Sequence, residues 1–321
     1  MIDPEEHAGS LVAVVLLNYN GHDDTRQCLA SLAQATHTHL SVIVCDNASS
    51  TPGLAALEAG FPTVRFIRNR TNLGFAAGCN VGIAAGLEMG ASYIVLLNND
   101  TFVSPGFVEP LLRALDDNPR AGVAGGTVLQ WDDSPSDRIW YAGDRFSKLR
   151  GEILKSGYGE CFKPHEHPTV VETDFVSGCF AMIPARVLHD IGRLDEDFFF
   201  GTEDLDFTWR LDRKGLCSLY VPASVIWHRS GRSRALDAGD VYRAYIAKFL
   251  LQRKHRPRLA YWAWLAAYTA YMRLAGLASA SRRLSGVVYT QGTPLQVRDS
   301  IDRAMRDAWR GALDTRSGLR T

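Results

Sequence analysis

A pairing repeated through the first 130 residues constrains this chain more than any other feature. Short apolar runs are followed at once by clusters of Asn, Asp, Ser or Gly. Leu11–Leu17 runs into Asn18-Tyr19-Asn20-Gly21, and Leu40–Cys45 into Asp46-Asn47-Ala48-Ser49-Ser50. Val64–Ile67 runs into Arg68-Asn69-Arg70-Thr71-Asn72-Leu73-Gly74, and Tyr93–Leu97 into Asn98-Asn99-Asp100. Leu11–Leu17 shows no apolar–polar alternation and predicts a strand buried on both faces. Between the runs lie helix-like stretches. One is capped by Asp23 or Asp24, a small-residue one covers Phe75 to Met89, and one is opened by Pro105. Strand and helix in this rhythm predict an α/β fold with a mostly parallel sheet covered by helices on both faces. Ligands of such sheets gather at the carboxyl ends of the strands, where every one of these polar clusters lies.

Beyond residue 130 the rhythm dissolves. Trp131 to Val171 reads as hairpins and loops, and Thr173–Ile183 as a strand interrupted at Ser177-Gly178. Glu203–Arg213 reads as a helix stopping at Gly215, and Leu216–Val221 as a last strand with His228 just past it. From about residue 236 the chain reads as helical to about 285, and again from Pro294 to Leu313. The chain has 321 residues, 46% hydrophobic and 22% charged, which describes a soluble globular protein and excludes disorder, collagen or a multi-pass membrane bundle. Its 35 basic and 35 acidic side chains cancel only in total: residues 1–228 carry a net −12 and residues 229–321 a net +12. An acidic body with a basic tail can signal a polyanionic or membrane partner. The six cysteines form no CxxC pair and read as buried free thiols; with an acidic N-terminus they fit a cytoplasmic location.

Neither GxGxxG nor GxxxxGK[ST] occurs, which disfavours a Rossmann dehydrogenase or a P-loop NTPase. Three clusters carry chemistry. Asp46, Asn72-Leu73-Gly74 and Asn98-Asn99-Asp100 can build one strand-end site with amides for a ribose or phosphate and a carboxylate for a divalent ion. Each alone is also an ordinary turn. Glu203-Asp204-Leu205-Asp206 places three carboxylates behind aromatic residues and glycine, a setting for a general base or for helix capping. His228 can complete a metal site begun by Asp100, or be a satisfied structural histidine.

Together these residues resemble the family 2 glycosyltransferases, the inverting sugar transferases of GT-A fold, and within them the rhamnosyltransferase-like members. The likeness runs from Val12 to about Ser230. It rests on Asn18-Tyr19-Asn20, on Asp46 to Ser50, on Asn72-Leu73-Gly74-Phe75 with Gly78, Asn80 and Gly82, and on Leu97 to Asp100. Further on it takes in Ser177-Gly178, Glu203-Asp204-x-Asp206 with Arg210, and Pro222 with His228 and Ser230. It implies a GT-A catalytic domain over 1–235, divided into a nucleotide-sugar half (1–130) and an acceptor half (131–235), followed by a basic helical region over 236–321. Asn18, Tyr19, Asn20, Asp46, Asn47, Asn72, Gly74, Asn80, Asn98 and Asn99 would bind a dTDP- or UDP-sugar, and Asp100 with His228 would hold Mg²⁺ or Mn²⁺. Asn98 stands where the family's metal motif usually opens with aspartate. Asp204 would be the general base beside Glu203, and Ser177, Gly178, Asp206 and Arg210 would border the acceptor.

The expected reaction is transfer of L-rhamnose from dTDP-L-rhamnose, or else of a UDP-hexose or UDP-N-acetylhexosamine sugar, to a lipid-linked or growing glycan. A sugar-1-phosphate nucleotidyltransferase would want a basic Gly-rich loop after the first strand, which Asn18–Asp23 does not offer, and Glu203, Asp204, Asp100 and His228 argue against a non-catalytic nucleotide-sugar or glycan-binding module. In the tail, Leu259–Met272 is aromatic but short of the roughly 20 residues that span a bilayer, and reads as a helix that packs on the catalytic domain or lies at a membrane interface. The basic run Arg253–Arg258 before it suits an anionic membrane face or a polyprenyl-diphosphate acceptor. The expected location is therefore the inner face of the cell membrane, with a homodimer possible and no nucleic-acid partner.

Overall fold

The computed structural model describes residues 9–131, 134–166, 169–229, 238–274 and 294–315. It divides into two compact units. The first takes the described parts of residues 1–146, 153–196 and 203–230; the second takes 147–152, 197–202 and 231–321. Two short segments from the middle of the chain thus fold with the C-terminal helices, a grouping that the sequence pattern does not foretell.

The first unit is built on a mixed sheet. Strands β1 (Val12–Asn18), β2 (Leu40–Asp46), β3 (Arg65–Arg68) and β4 (Tyr93–Asn98) form its parallel half in the order β3-β2-β1-β4. Helices α1 (His22–Leu32), α2 (Leu54–Gly60), α3 (Phe75–Glu88) and α4 (Glu109–Asp116) lie between or after these strands in the chain. No side chain caps α1, although Asp23 and Asp24 fall in its first turn, where acidic residues suit the helix dipole. The other half departs from the parallel expectation. β11 (Phe180–Pro184) runs antiparallel to both β4 and β6 (Ala121–Trp131), and β12 (Cys217–His228) runs parallel to β6. β7 (Pro135–Tyr141) and β10 (Val171–Thr173) pair antiparallel with β6 and β12, while β8 (Arg145–Ser147) and β9 (Glu152–Leu154) pair with each other.

Glycines decide how closely these layers approach. Gly78, Gly82 and Gly86 form a stripe along α3, and a Cβ added at Gly82 would lie 2.3 Å from a methyl of Val15 on β1. Part of the motif Gly74-Phe75-Ala76-x-Gly78-x-Asn80-x-Gly82 is therefore helix–sheet packing. Three glycines also disguise β6, which sequence reasoning passed over. Added carbons at Gly122, Gly125 and Gly126 would meet Leu211, Val176 and the Ser224 carbonyl at 2.3–2.5 Å.

Strand β12 extends past the predicted Val221 because the register shifts between Val221 and Val225, absorbing Pro222 in a bulge. His228 is consequently the last residue of a strand rather than part of a loop. Helices α5 (Ala185–Ile191) and α6 (Glu203–Arg213) complete this unit.

The second unit contains helices α7 (Ala238–His255), α8 (Arg258–Leu274) and α9 (Pro294–Arg310). Tyr261, Trp264, Leu265, Tyr268 and Met272 on α8 are buried inside it, with Trp264 stacked on Tyr268 (centroids 5.1 Å apart) and edge-on to Phe249 of α7. Trp264 donates to the Leu149 carbonyl at 2.7 Å, and Lys254 pairs with Asp197 at 2.6 Å. Most of the aromatic stripe expected either to pack or to meet a membrane is thus core of this unit. No helix among the described residues is long and apolar enough to cross a membrane. The predicted helix beyond Leu274, to about 285, lies outside the described residues, as does Ser230.

Candidate active site

The parallel strands end in register, with Asn18 opposite Asp46 and Asp46 opposite Arg68. Their polar residues first hold one another. Asn18 is fully buried: its amide nitrogen donates to Asp46 Oδ1 at 2.7 Å, and its oxygen accepts from Gly21 N and Thr25 Oγ1. Asn47 spends its whole amide, donating to Asn72 Oδ1 and the Gly74 carbonyl and accepting from Asn69 Nδ2 and Leu73 N. Asn99 reaches back to Thr25 Oγ1 at 2.9 Å. Asn20, in the left-handed region at φ 59°, accepts from the backbone of Ser50 and Thr51 and fixes that loop. Asp46 Oδ1 and Oδ2 accept from Ser49 Oγ and Ser49 N at 2.6 and 3.0 Å. Buried amides with every donor and acceptor engaged position a pocket rather than touch its ligand. Asn18 and Asn47 therefore have no free amide to offer a ligand, whereas Tyr19 (51% exposed) and Asn72 face solvent. Asn98 is half-buried beside them, and Gly74 precedes α3 at φ 85°.

Asn80 lies apart from this group. It is buried on α3, where its amide donates to the Leu194 carbonyl and Glu196 and accepts from Leu194 N. That staples the segment after α5, so Asn80 offers no free amide to a nucleotide-sugar.

Asp100 and His228 come together through strand pairing. β5 (Thr101–Val103) runs antiparallel to β12 with Thr101 opposite His228, and Arg229 N donates to the Asp100 carbonyl at 2.9 Å. The side chains follow: His228 Nε2 lies 3.1 Å from Asp100 Oδ1, both residues are buried, and among the described residues His228 Nδ1 has no hydrogen-bond partner. A carboxylate oxygen and the imidazole Nε2 3.1 Å apart can serve as two neighbouring ligands of a divalent ion that takes its other ligands from phosphate oxygens and water. Among the described residues no group of three or more His, Cys, Asp or Glu forms a closed metal cage.

Asp204 stands in the first turn of α6, just after Gly201 (φ 84°) and Thr202 (φ 70°). The second is a β-branched residue in a region such residues rarely adopt. Its Oδ2 accepts from Gly178 N at 3.1 Å and its Oδ1 from Leu205 N at 2.8 Å. Gly178 thus holds the carboxylate itself, while Ser177 beside it is buried. Phe75, Leu96, Val176 and Phe207 wall a small cavity beneath it. Burial against these walls raises the Asp204 pKa above the ordinary carboxylate value, opposed by the two N–H donors and by the charge of Lys155. A carboxylate poised upward and held by backbone amides can accept a proton from a hydroxyl. Glu203 beside it is buried. Asp206 and Arg210 are engaged elsewhere: they pair at 2.8 Å, and Arg210 also donates to the carbonyls of Ile191 and Arg193. This i,i+4 staple fixes the start of the 192–202 segment, so the pair is not open to an acceptor.

Sequence reasoning missed one group. The segment Gly157–Phe162 runs beside β7, with Gly159 N donating to Ile139 O and Phe162 N to Asp137 O. This brings Lys155 Nζ over the Trp140 ring at 4.4 Å and within 3.1 Å of fully buried Asp144. Trp140 in turn meets His228 edge-on, with centroids 4.7 Å apart. No periodicity marks this stretch; the Trp and Lys in a polar loop were the only signal.

A parallel β3-β2-β1-β4 half joined through antiparallel β11 to β6 and β12 is the GT-A architecture, that of nucleotide-diphospho-sugar transferases. A solved structure of GalNAc-T7, obtained with UDP, GalNAc and Mn²⁺, shares it with a TM-score of 0.57 at 14% identity, over 77% of this chain and 52% of that one. This chain therefore spans about half the length of that protein. The family model for glycosyl transferase family 2 matches residues 13–192, more than half of the chain, and the chain belongs to that family. It is 28% identical to the N-acetylglucosaminyl-diphospho-decaprenol L-rhamnosyltransferase of Mycobacterium tuberculosis, over 71% of this chain and 78% of that protein. It is 24% identical to a dTDP-rhamnosyl transferase of Shigella flexneri, over 78% and 83%. The chain is a glycosyltransferase, and its similarity runs to rhamnosyltransferases.

Proposed function

We propose that the protein transfers L-rhamnose from dTDP-L-rhamnose to a hydroxyl of a lipid-linked or growing glycan, inverting the anomeric centre in a single displacement. The observation that carries the reading is Asp204: a carboxylate held by two backbone amides over apolar walls, with its proton affinity raised. In this reading Asp204 accepts the acceptor hydroxyl's proton as the oxygen attacks, and Gly178 N with Leu205 N keep the carboxylate aimed. Asp100 and His228 would hold Mg²⁺ or Mn²⁺, which when bound offsets the charge that builds on the departing nucleoside diphosphate. Asp46, Asn20 and Asn72 line the nucleotide pocket that Asn18 and Asn47 keep in shape. The rhamnosyltransferase relatives favour rhamnose as the sugar, and the first of them acts on a diphospho-decaprenol-linked acceptor by its name. A lipid-linked acceptor would place the protein peripherally on the inner membrane face. Arg253 and Arg258 of the basic run are exposed and suit that surface, while Lys254 pairs with Asp197.

Thermal-shift titration with dTDP-rhamnose, UDP-glucose and UDP-N-acetylglucosamine in Mn²⁺ tests the donor. A ligand that binds only the native state raises the melting temperature by mass action. The largest rise is expected with dTDP-rhamnose; a rise with a UDP-sugar alone would move the donor assignment to UDP-hexoses.

A further inference from the structure

We propose that Lys155 is a donor-binding residue whose ammonium hydrogen-bonds the diphosphate of the nucleotide-sugar, beside the Asp100–His228 pair. The inference rests on the nucleotide-sugar reading above and adds a ligand contact to it.

Three observations meet at this side chain. The first is charge. A nucleoside diphosphate is strongly anionic, yet the groups gathered at the strand ends and on α6 include Asp46, Asp100, Glu203 and Asp204. Of the nearby arginines, Arg229 is committed to Asp24 and Gln27 and Arg68 to Glu58, while Arg70 is exposed on the loop after β3. Such a site needs a cation besides any metal.

The second is place. Lys155 and His228 flank one indole, that of Trp140, at 4.4 Å (ammonium to ring centroid) and 4.7 Å (centroid to centroid). The charge of Lys155 also acts on Asp204. One ammonium therefore stands near both the residues that would meet the leaving group and the residue that would take the proton.

The third is spare capacity. An ammonium has three N–H donors. Asp144 Oδ2 lies 3.1 Å from Nζ and the Trp140 carbonyl 3.4 Å, which leaves one N–H for a ligand. Asp144 is fully buried and also accepts from Ser156 N, so it holds Lys155 in position, while the lysine side chain keeps 30% of its surface exposed.

The competing explanation is that Lys155 serves only to neutralise Asp144. The double variant Asp144→Asn/Lys155→Gln separates the two, because it removes the buried carboxylate together with its cation and strands neither. Isothermal titration of dTDP and UDP in Mn²⁺ is the readout, with thermal melting to confirm that each variant is folded. A lost hydrogen bond to a charged group is expected to weaken diphosphate binding about 10- to 100-fold in the double variant. Lys155→Arg, which keeps the charge beside Asp144, should retain most of the affinity. Wild-type diphosphate affinity in a folded double variant would overturn the proposal. If the wild-type protein bound neither diphosphate, the nucleotide-sugar reading itself would fall.

Discussion

Asp204→Asn is the substitution that separates chemistry from binding. Asparagine matches aspartate in size, so the cavity walled by Phe75, Val176 and Phe207 is not reshaped. Its amide oxygen can still accept from either Gly178 N or Leu205 N, now 3.1 and 2.8 Å from the two carboxylate oxygens. One N–H loses its acceptor, at a cost of about 1–3 kcal/mol, while the variant no longer holds a charge against apolar walls. These opposing effects leave the fold intact. What is removed is a proton acceptor. General-base catalysis contributes about 10²- to 10⁴-fold, or about 3–5 kcal/mol of barrier, and kcat should fall by that factor. Nucleoside diphosphate affinity should stay within about twofold, since the residues that shape the strand-end pocket are untouched.

The pH profile adds a second readout. The base works only when ionised, and burial raises its pKa, so wild-type kcat/KM should decline on the acid side at a pH above the ordinary carboxylate value of 3.8. The residual activity of the variant should lack that limb. A kcat within about tenfold of wild type, with the limb retained, would refute Asp204 as the base.

Asn47→Ala should loosen the 69–74 loop, because four hydrogen bonds from one amide disappear; a rise in donor KM of about tenfold with little change in kcat is expected in steady-state assays. Gly126→Ala would put a carbon 2.3 Å from the Ser224 carbonyl and 2.6 Å from Phe180, and urea unfolding should register about 1–3 kcal/mol of destabilisation. Burial pushes the Cys28 and Cys45 thiols up to about 12, whereas Cys161 is exposed. Burial also raises the thiol pKa of part-buried Cys217, so native protein at neutral pH should show one fast thiol toward an aromatic disulfide reagent, lost in Cys161→Ser.

The parallel half of the sheet was legible because its strands are continuous apolar runs and its ligand edge is marked by Asn and Asp. Asp46 and Asp100 were picked on that logic, Asp204 from a cluster of three carboxylates and His228 from its place past the last strand; the β5–β12 register explains why two residues 128 positions apart meet. Strand β6 was hidden because Gly122, Gly125 and Gly126 remove the β-propensity signal for the sake of close packing. Polar type alone does not tell a contact from a support. Asn18, Asn47, Asn80, Asp206 and Arg210 look like ligand groups in sequence, yet their hydrogen-bonding capacity is taken up within the protein. Lys155 and Trp140 were missed for the opposite reason. They sit in a stretch without periodicity, and only the β7 pairing brings them to His228. The cysteines were read as buried, but Cys161 is exposed and Cys217 only part-buried.

The stereochemistry of the product tests the central claim most directly. Wild-type protein is incubated with dTDP-L-rhamnose, Mn²⁺ and a polyprenyl-diphosphate-linked N-acetylglucosamine acceptor, and the new linkage is read by nuclear magnetic resonance. A single displacement with Asp204 as base predicts a product whose anomeric configuration is opposite to that of the donor, formed by wild type and formed about 10²- to 10⁴-fold more slowly by Asp204→Asn. Retention of configuration would contradict the account, because a single back-side displacement must invert the anomeric carbon.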